Sequence, residues 1–208
     1  EARFRRGRKK VKESFNGGVF TIVVDIAGNC GVKPIDLYWR AASALAAAEV
    51  LEKLGYRVAI WGATSGVGVR QATNDRPETN MEVCWKVKES SQPLNIATCS
   101  AALSSWFFRS VCFQLWHRYN RCHNGLGSTR AFTVEQARGM TGDPAALLMT
   151  ANPHGSKARQ RAIEGMVYLL QTAGVLENDD AALAELDLEE GNSYWSERID
   201  NLQNERRN

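Results

Sequence analysis

An aspartate that closes a strand of buried character is the first candidate for chemistry in this chain. Val19-Phe20-Thr21-Ile22-Val23-Val24 is a largely β-branched run ending on Asp25, and Ile26-Ala27-Gly28-Asn29-Cys30-Gly31 follows as a tight loop. A carboxylate at the C-terminal end of a parallel strand stands where open sheets of this kind place their ligands. With oxygen donors two and four residues further on, it would seat a hard cation such as Mg2+. Position 27 is alanine and has no side-chain oxygen, whereas Asn29 offers a neutral one. The structural alternative is that Asp25 bonds amides of its own loop or caps the next helix, because buried polar groups usually find local partners.

Four other constellations have the right residue types. Gly62-Ala63-Thr64-Ser65-Gly66-Val67-Gly68 has the glycines of a phosphate-binding turn after a strand. The polar stretch Val69 to Pro77 is too short for the helix that would hold a pyrophosphate. Cys112, His117, Cys122 and His123 are metal-ligand types, but they lack the paired Cys-x-x-Cys spacing of structural zinc sites. His154, in a loop before a helix, is matched on paper with Cys30 or Cys99 as a nucleophile. Trp106, Phe107, Phe108, Phe113, Trp116 and Tyr119 recur at helical spacing among Arg109, Arg118 and Arg121. Such a face either stacks on single-stranded nucleic acid or, more commonly, packs in a core or a subunit interface.

The elements that must position these groups follow from periodicity. Pro34 suits a first helical position and Asp36 a first turn. Leu37, Ala41, Ala44, Leu45, Ala48, Leu51 and Leu54 recur at three- and four-residue steps, and Gly55 stops the helix. Tyr56 to Trp61 is a second strand, so residues 19–61 make a strand–helix–strand crossover of the right-handed parallel kind. Residues 62–80 read as a loop. Met81 to Lys88 alternates as a half-exposed strand near a sheet edge. Asn95 or Thr98 caps a helix through Ala101, Leu103, Trp106 and Phe107, and Val111 to Tyr119 continues helical. Ala145–Met149 is a short apolar strand, and Ser156 to Ala173 is a helix closed by Gly174.

Composition bounds the class. The 208 residues, 44% hydrophobic and 24% charged with net charge +3, are those of an ordinary globular domain. Arg3, Arg5, Arg6, Arg8, Lys9, Lys10 and Lys12 crowd the front, while residues 177–190 hold seven acids and no base. Basic and acidic ends suit a polyanion and a basic surface respectively, or are simply solvated tails. The five cysteines are odd in number and lie mostly in apolar runs, as buried thiols in a reducing compartment do. Neither a secretory leader nor an unbroken membrane-length apolar run is visible.

At Asp25-Ile26-Ala27-Gly28-Asn29, the alanine-rich helix and the strand at Tyr56, the chain resembles a von Willebrand factor A (vWA) domain. It is similar in kind to uncharacterised phage and mobile-element proteins. That family carries Asp-x-Ser-x-Ser after its first strand. A later Thr and a second Asp complete its metal-ion-dependent adhesion site (MIDAS). The resemblance makes Asp25, Asn29 and Thr98 the residues of a degenerate site of this type. Both serines are replaced, and Thr150-Ala151-Asn152 stands where the family has Thr-Asp-Gly.

The expectation is therefore an α/β fold, a three-layer Rossmann-like sandwich with a mostly parallel central sheet, vWA-like. The expected divisions are a basic arm at 1–18, the domain at 19–176 and an acidic or polar extension at 177–208. The expected function is a non-enzymatic protein-interaction or assembly module, with Mg2+ as the cofactor the resemblance implies. Another protein or a second copy is the expected partner, with no membrane, in the cytoplasm (the host's, for a phage-encoded chain). The alternative is nucleic-acid binding through Arg3, Arg5, Arg6, Arg8, Lys9 and Lys10 together with the aromatic–arginine helix.

Overall fold

The structure, a computed structural model, describes residues 18–28, 32–68, 79–115, 129–149 and 158–176. Strand β1 (Val19–Asp25) runs between two parallel neighbours, β2 (Arg57–Gly68) and β5 (Leu147–Met149). Ile22, Val23 and Val24 are wholly buried. Their alternation sends Ile22 and Val24 into one core and Val23 into another. A strand enclosed on both faces needs the continuous apolar run seen in the sequence. β3 (Thr79–Lys88) forms the edge, antiparallel to β2, and the two-residue β4 (Thr129–Arg130) pairs with β2 at Ser65 and Gly66. The chain is thus an α/β protein, with parallel pairing at its centre and antiparallel pairing on β2.

Helices cover both faces. The larger core joins α1 (Pro34–Lys53), α2 (Ile96–Ala102), the π-helical turn Phe108–Cys112 and α5 (Ala158–Thr172) to the Ile22 face. A three-residue helix, α3 (Ser105–Phe107), leads into the π-helical turn. The smaller core sets α4 (Val134–Thr141) against Val23, Ala63 and Leu148 on the opposite face. α1 starts at Pro34, and the Asp36 carboxylate accepts the Lys33 N–H at 3.2 Å. It ends before Gly55, whose φ of 86° lies in the left-handed region that favours glycine.

Three expectations change. Residues 62–68 are strand, not loop, because β2 continues through them and pairs with β3 from Gly62↔Trp85 to Gly68↔Thr79. Glycine is demanded at 62 by close approach, since the Trp85 indole lies where a Cβ would be. A helix with no counterpart in the sequence reading, α4, forms between a Thr133–Gln136 capping box and Gly142 at φ 71°. The aromatic helix is broken into α2, α3 and the π-helical turn, and is described only to Leu115.

At the sheet end where β2 begins, Lys88 is buried. Its Nζ donates to Val58 O at 2.6 Å and to Glu89 O at 3.2 Å, and pairs with Glu52 at 2.6 Å. The other Glu52 oxygen accepts the Leu94 N–H, which holds the start of α2 against the end of α1. Lys88→Met should cost roughly 2–4 kcal/mol in chemical unfolding, because Glu52 and two carbonyls lose their donor. Gly62→Ala should cost roughly 1–3 kcal/mol through overpacking against Trp85. An unchanged unfolding midpoint in either variant would contradict the corresponding contact.

Candidate functional site

Asp25 is wholly buried at the end of β1. Its Oδ1 accepts the Ala27 N–H and its Oδ2 accepts the Phe132 N–H, both at 2.8 Å. The first bond folds the loop back on itself. The second ties β1 to the segment that leads into α4, 107 residues away. Arg40, on the buried arc of α1, donates from Nη1 to Ala27 O at 2.8 Å and to Asp25 O at 3.2 Å. Burial lowers the Arg40 pKa, and the charges of Asp25 and Asp36 oppose that shift. The guanidinium stays protonated, as arginine does in proteins. A buried carboxylate with a buried cation nearby and two amide donors has its charge met locally, which isolated burial would make costly.

The oxygens described around this loop do not suit Mg2+, which needs near-octahedral oxygen ligands and gives up water reluctantly. Both Asp25 oxygens face N–H groups, and the Asp25 and Ala27 carbonyls face a guanidinium. Thr98 is not brought to this place. It is exposed in the first turn of α2, where its N–H donates to Asn95 Oδ1 at 3.0 Å. That turn lies at the other end of α1, held by the Leu94–Glu52 bond. The twelve residues from Arg40 to Glu52 span about 18 Å of helix. Asn29 lies outside the described residues. Among the described residues, no three His, Cys, Asp or Glu side chains are grouped to hold a metal.

The other candidates are dispersed. The glycines of 62–68 are in an extended strand rather than a turn before a helix. Cys99 is buried in α2, at the opposite end of α1 from Asp25. Cys30, His117, Cys122, His123 and His154 lie outside the described residues, as do Arg3, Arg5, Arg6, Arg8, Lys9 and Lys10. Of the aromatic series, Phe107 packs against Trp85, and Phe108 meets Phe113 edge to face at 4.9 Å. Arg109 donates to Val32 O at 2.8 Å. Trp106 alone among the described aromatics of that series is turned strongly outward, 69% exposed.

Two hollows lie among the described residues. A cavity of about 390 Å³ lies where β5 ends, bounded by Asp36 and Arg40 of α1, Leu148 and Met149, and Arg161 and Glu164 of α5. An apolar groove of about 630 Å³ runs between α1 and α2–α3 over Ala41, Ala42 and Ala46. Neither Arg40 nor the hollows were singled out in the sequence. The one signal was a cation on the buried arc of an alanine-rich helix.

These features define an α/β domain whose central strand ends in a carboxylate tied to its own loop and to a distant segment. The chain belongs to the family described as a domain of unknown function (DUF7192), which it matches over residues 4–173. No curated protein and no solved structure matches it. Among the described residues, one helical stretch, Ile96–Leu115, has the length and composition to cross a membrane. In the fold it sinks Cys99, Leu103, Phe108 and Cys112 into the larger core.

The thiols give a pH-dependent test. Burial pushes Cys84 up to about 11 and Cys112 up to about 12. Protonated thiols are poor nucleophiles. At pH 8 both should resist alkylation until denaturant is added. Folded-state values above the ordinary 9.0 mean that unfolded thiols ionise first, so stability should fall as pH rises through about 9 towards 11 and 12. Rapid alkylation of Cys112 in the native protein would contradict its placement.

Proposed function

We propose that this chain is a non-enzymatic interaction or assembly module of three-layer, vWA-like architecture, and that its partner is a second copy of itself. The strand–helix–strand crossover from β1 to β2, with Asp25 at the end of a central strand, supports the vWA likeness. Asp25 serves there as an organiser of the loop. The free thiols of Cys84, Cys99 and Cys112 support a reducing, cytoplasmic setting.

One observation carries the assembly reading. Ile35, Tyr38 and Ile96 line the apolar groove between α1 and α2, and Trp106 follows its edge at Ser105. These four side chains are 50%, 57%, 50% and 69% exposed. A hollow floored by Ala41, Ala42 and Ala46 thus lies beside protruding aromatic side chains on one surface. A two-fold interface needs such a self-complementary patch, with each copy supplying both knob and hollow. The four exposed side chains amount to roughly 400 Å² of apolar surface. That is about half of what one partner buries in a stable complex, so the dimer should be dissociable, with polar rim contacts supplying the rest.

Sedimentation of the full chain across micromolar concentrations tests this. The expected result is a monomer–dimer equilibrium shifted to monomer by Trp106→Ser and by Ile35→Ser, with unfolding midpoints unchanged. A wild-type chain that stays monomeric up to about 100 μM would overturn the self-association reading. A dimer indifferent to both substitutions would place the interface elsewhere.

A further inference from the structure

The cavity at the end of β5 is separate from the apolar groove and independent of the assembly reading. α1 contributes Asp36 and Arg40, and α5 contributes Arg161 and Glu164. The α1 pair is engaged. Asp36 accepts the Lys33 N–H, and Arg40 holds the loop carbonyls while its charge interacts with Asp25 and Asp36. The α5 groups differ. Arg161 and Glu164 are three residues apart, a spacing at which opposite charges on a helix can meet. Yet neither makes an ion pair or side-chain hydrogen bond among the described residues. Arg161 is half-buried and Glu164 is exposed, both at the cavity wall.

Between and beneath them the lining is apolar: Val134, Leu148, Met149 and Ala162. Gly165 lets this floor come close to α5, since a Cβ there would lie 2.6 Å from Met149 Sδ. The volume falls at the small-ligand end of binding cavities. Among the described residues the wall carries two charges of each sign, so neither a simple anion nor a simple cation gains a net attraction from them. A small molecule carrying both charges on an apolar body satisfies Arg161 and Glu164 together.

We infer that this cavity binds a small zwitterion with an apolar side chain, of the chemical class of a free α-amino acid. Its carboxylate meets Arg161, its ammonium meets Glu164, and its side chain lies on Leu148 and Met149. Such a ligand would join α1 to α5 and reach the Arg40–Asp25 loop through the α1 wall.

The test uses the full chain with three probes of one shape: leucine, its deaminated analogue isocaproate and its decarboxylated analogue isoamylamine, each at millimolar concentration. A ligand that binds the folded state alone must raise the melting temperature. Leucine should raise it, and should shift the amide resonances of Leu148, Met149 and Gly165, while neither single-charge analogue does so. Arg161→Gln and Glu164→Gln should each weaken leucine binding about tenfold, as loss of a hydrogen bond to a charged group does, with little change in unliganded melting. An equal response to isocaproate would overturn the zwitterion in favour of an anion site. No response to any probe, in a chain whose amide spectrum shows it folded, would overturn the site itself.

Discussion

The Asp25 carboxylate is the interaction on which the rest of the site depends. It is wholly buried, and its oxygens accept backbone N–H groups from Ala27 beside it and from Phe132 far along the chain. Without those donors the charge would be very costly at zero exposure. With them it does two jobs. It turns the backbone sharply after β1, and it fixes the segment that carries Phe132 and Thr133 into α4. α4 then covers the face of the sheet that α1 and α5 leave open.

Helix α1 transmits that order to both ends of the sheet. At one end Arg40 holds the Asp25 and Ala27 carbonyls. At the other, Glu52 meets the buried Lys88 ammonium and the Leu94 N–H. Each end thus contains a cation bonded to carbonyl oxygens with a carboxylate near it, and the apolar middle of the helix lies between. The alanines at 41, 44, 47 and 48 are buried and small, which lets α1 sit close to β1 and to its neighbours. Ala42 and Ala46 line the outer groove, and Ala41 borders both surfaces. A single alanine-rich helix therefore supplies a core face and a recessed outer surface.

Much of this was legible in the sequence, for physical reasons. The run Val19–Val24 is too continuously apolar for a half-exposed strand, and it is enclosed on both faces. Pro34 and Gly55 mark the ends of α1, and the alternation at 81–88 marks β3 as an edge. The stretch 62–68 misled because glycine signals turns, whereas Gly62 makes room for a tryptophan across the sheet. That requirement comes from a partner strand and is invisible locally. Thr98, a site residue only through the family resemblance, stands in the first turn of α2, which the direction of β3 carries to the end of the sheet away from Asp25. The capping box at Thr133–Gln136 was a local signal open to reading. The bond from Phe132 to Asp25 was not, because contacts across 107 residues leave no periodic trace.

The Ala27 and Phe132 amides meet the Asp25 carboxylate in an arrangement that calls for no cation. The most direct measurement is the unfolding midpoint of the wild type and of Asp25→Asn, each with and without millimolar Mg2+. The amide keeps the size of the carboxylate but can accept at only one of its two positions. The expected result is a loss of roughly 2–4 kcal/mol in the variant, identical with and without the ion, and a wild type indifferent to Mg2+. A wild-type midpoint that rises with Mg2+, and a rise that disappears in Asp25→Asn, would contradict the account and make Asp25 a metal ligand.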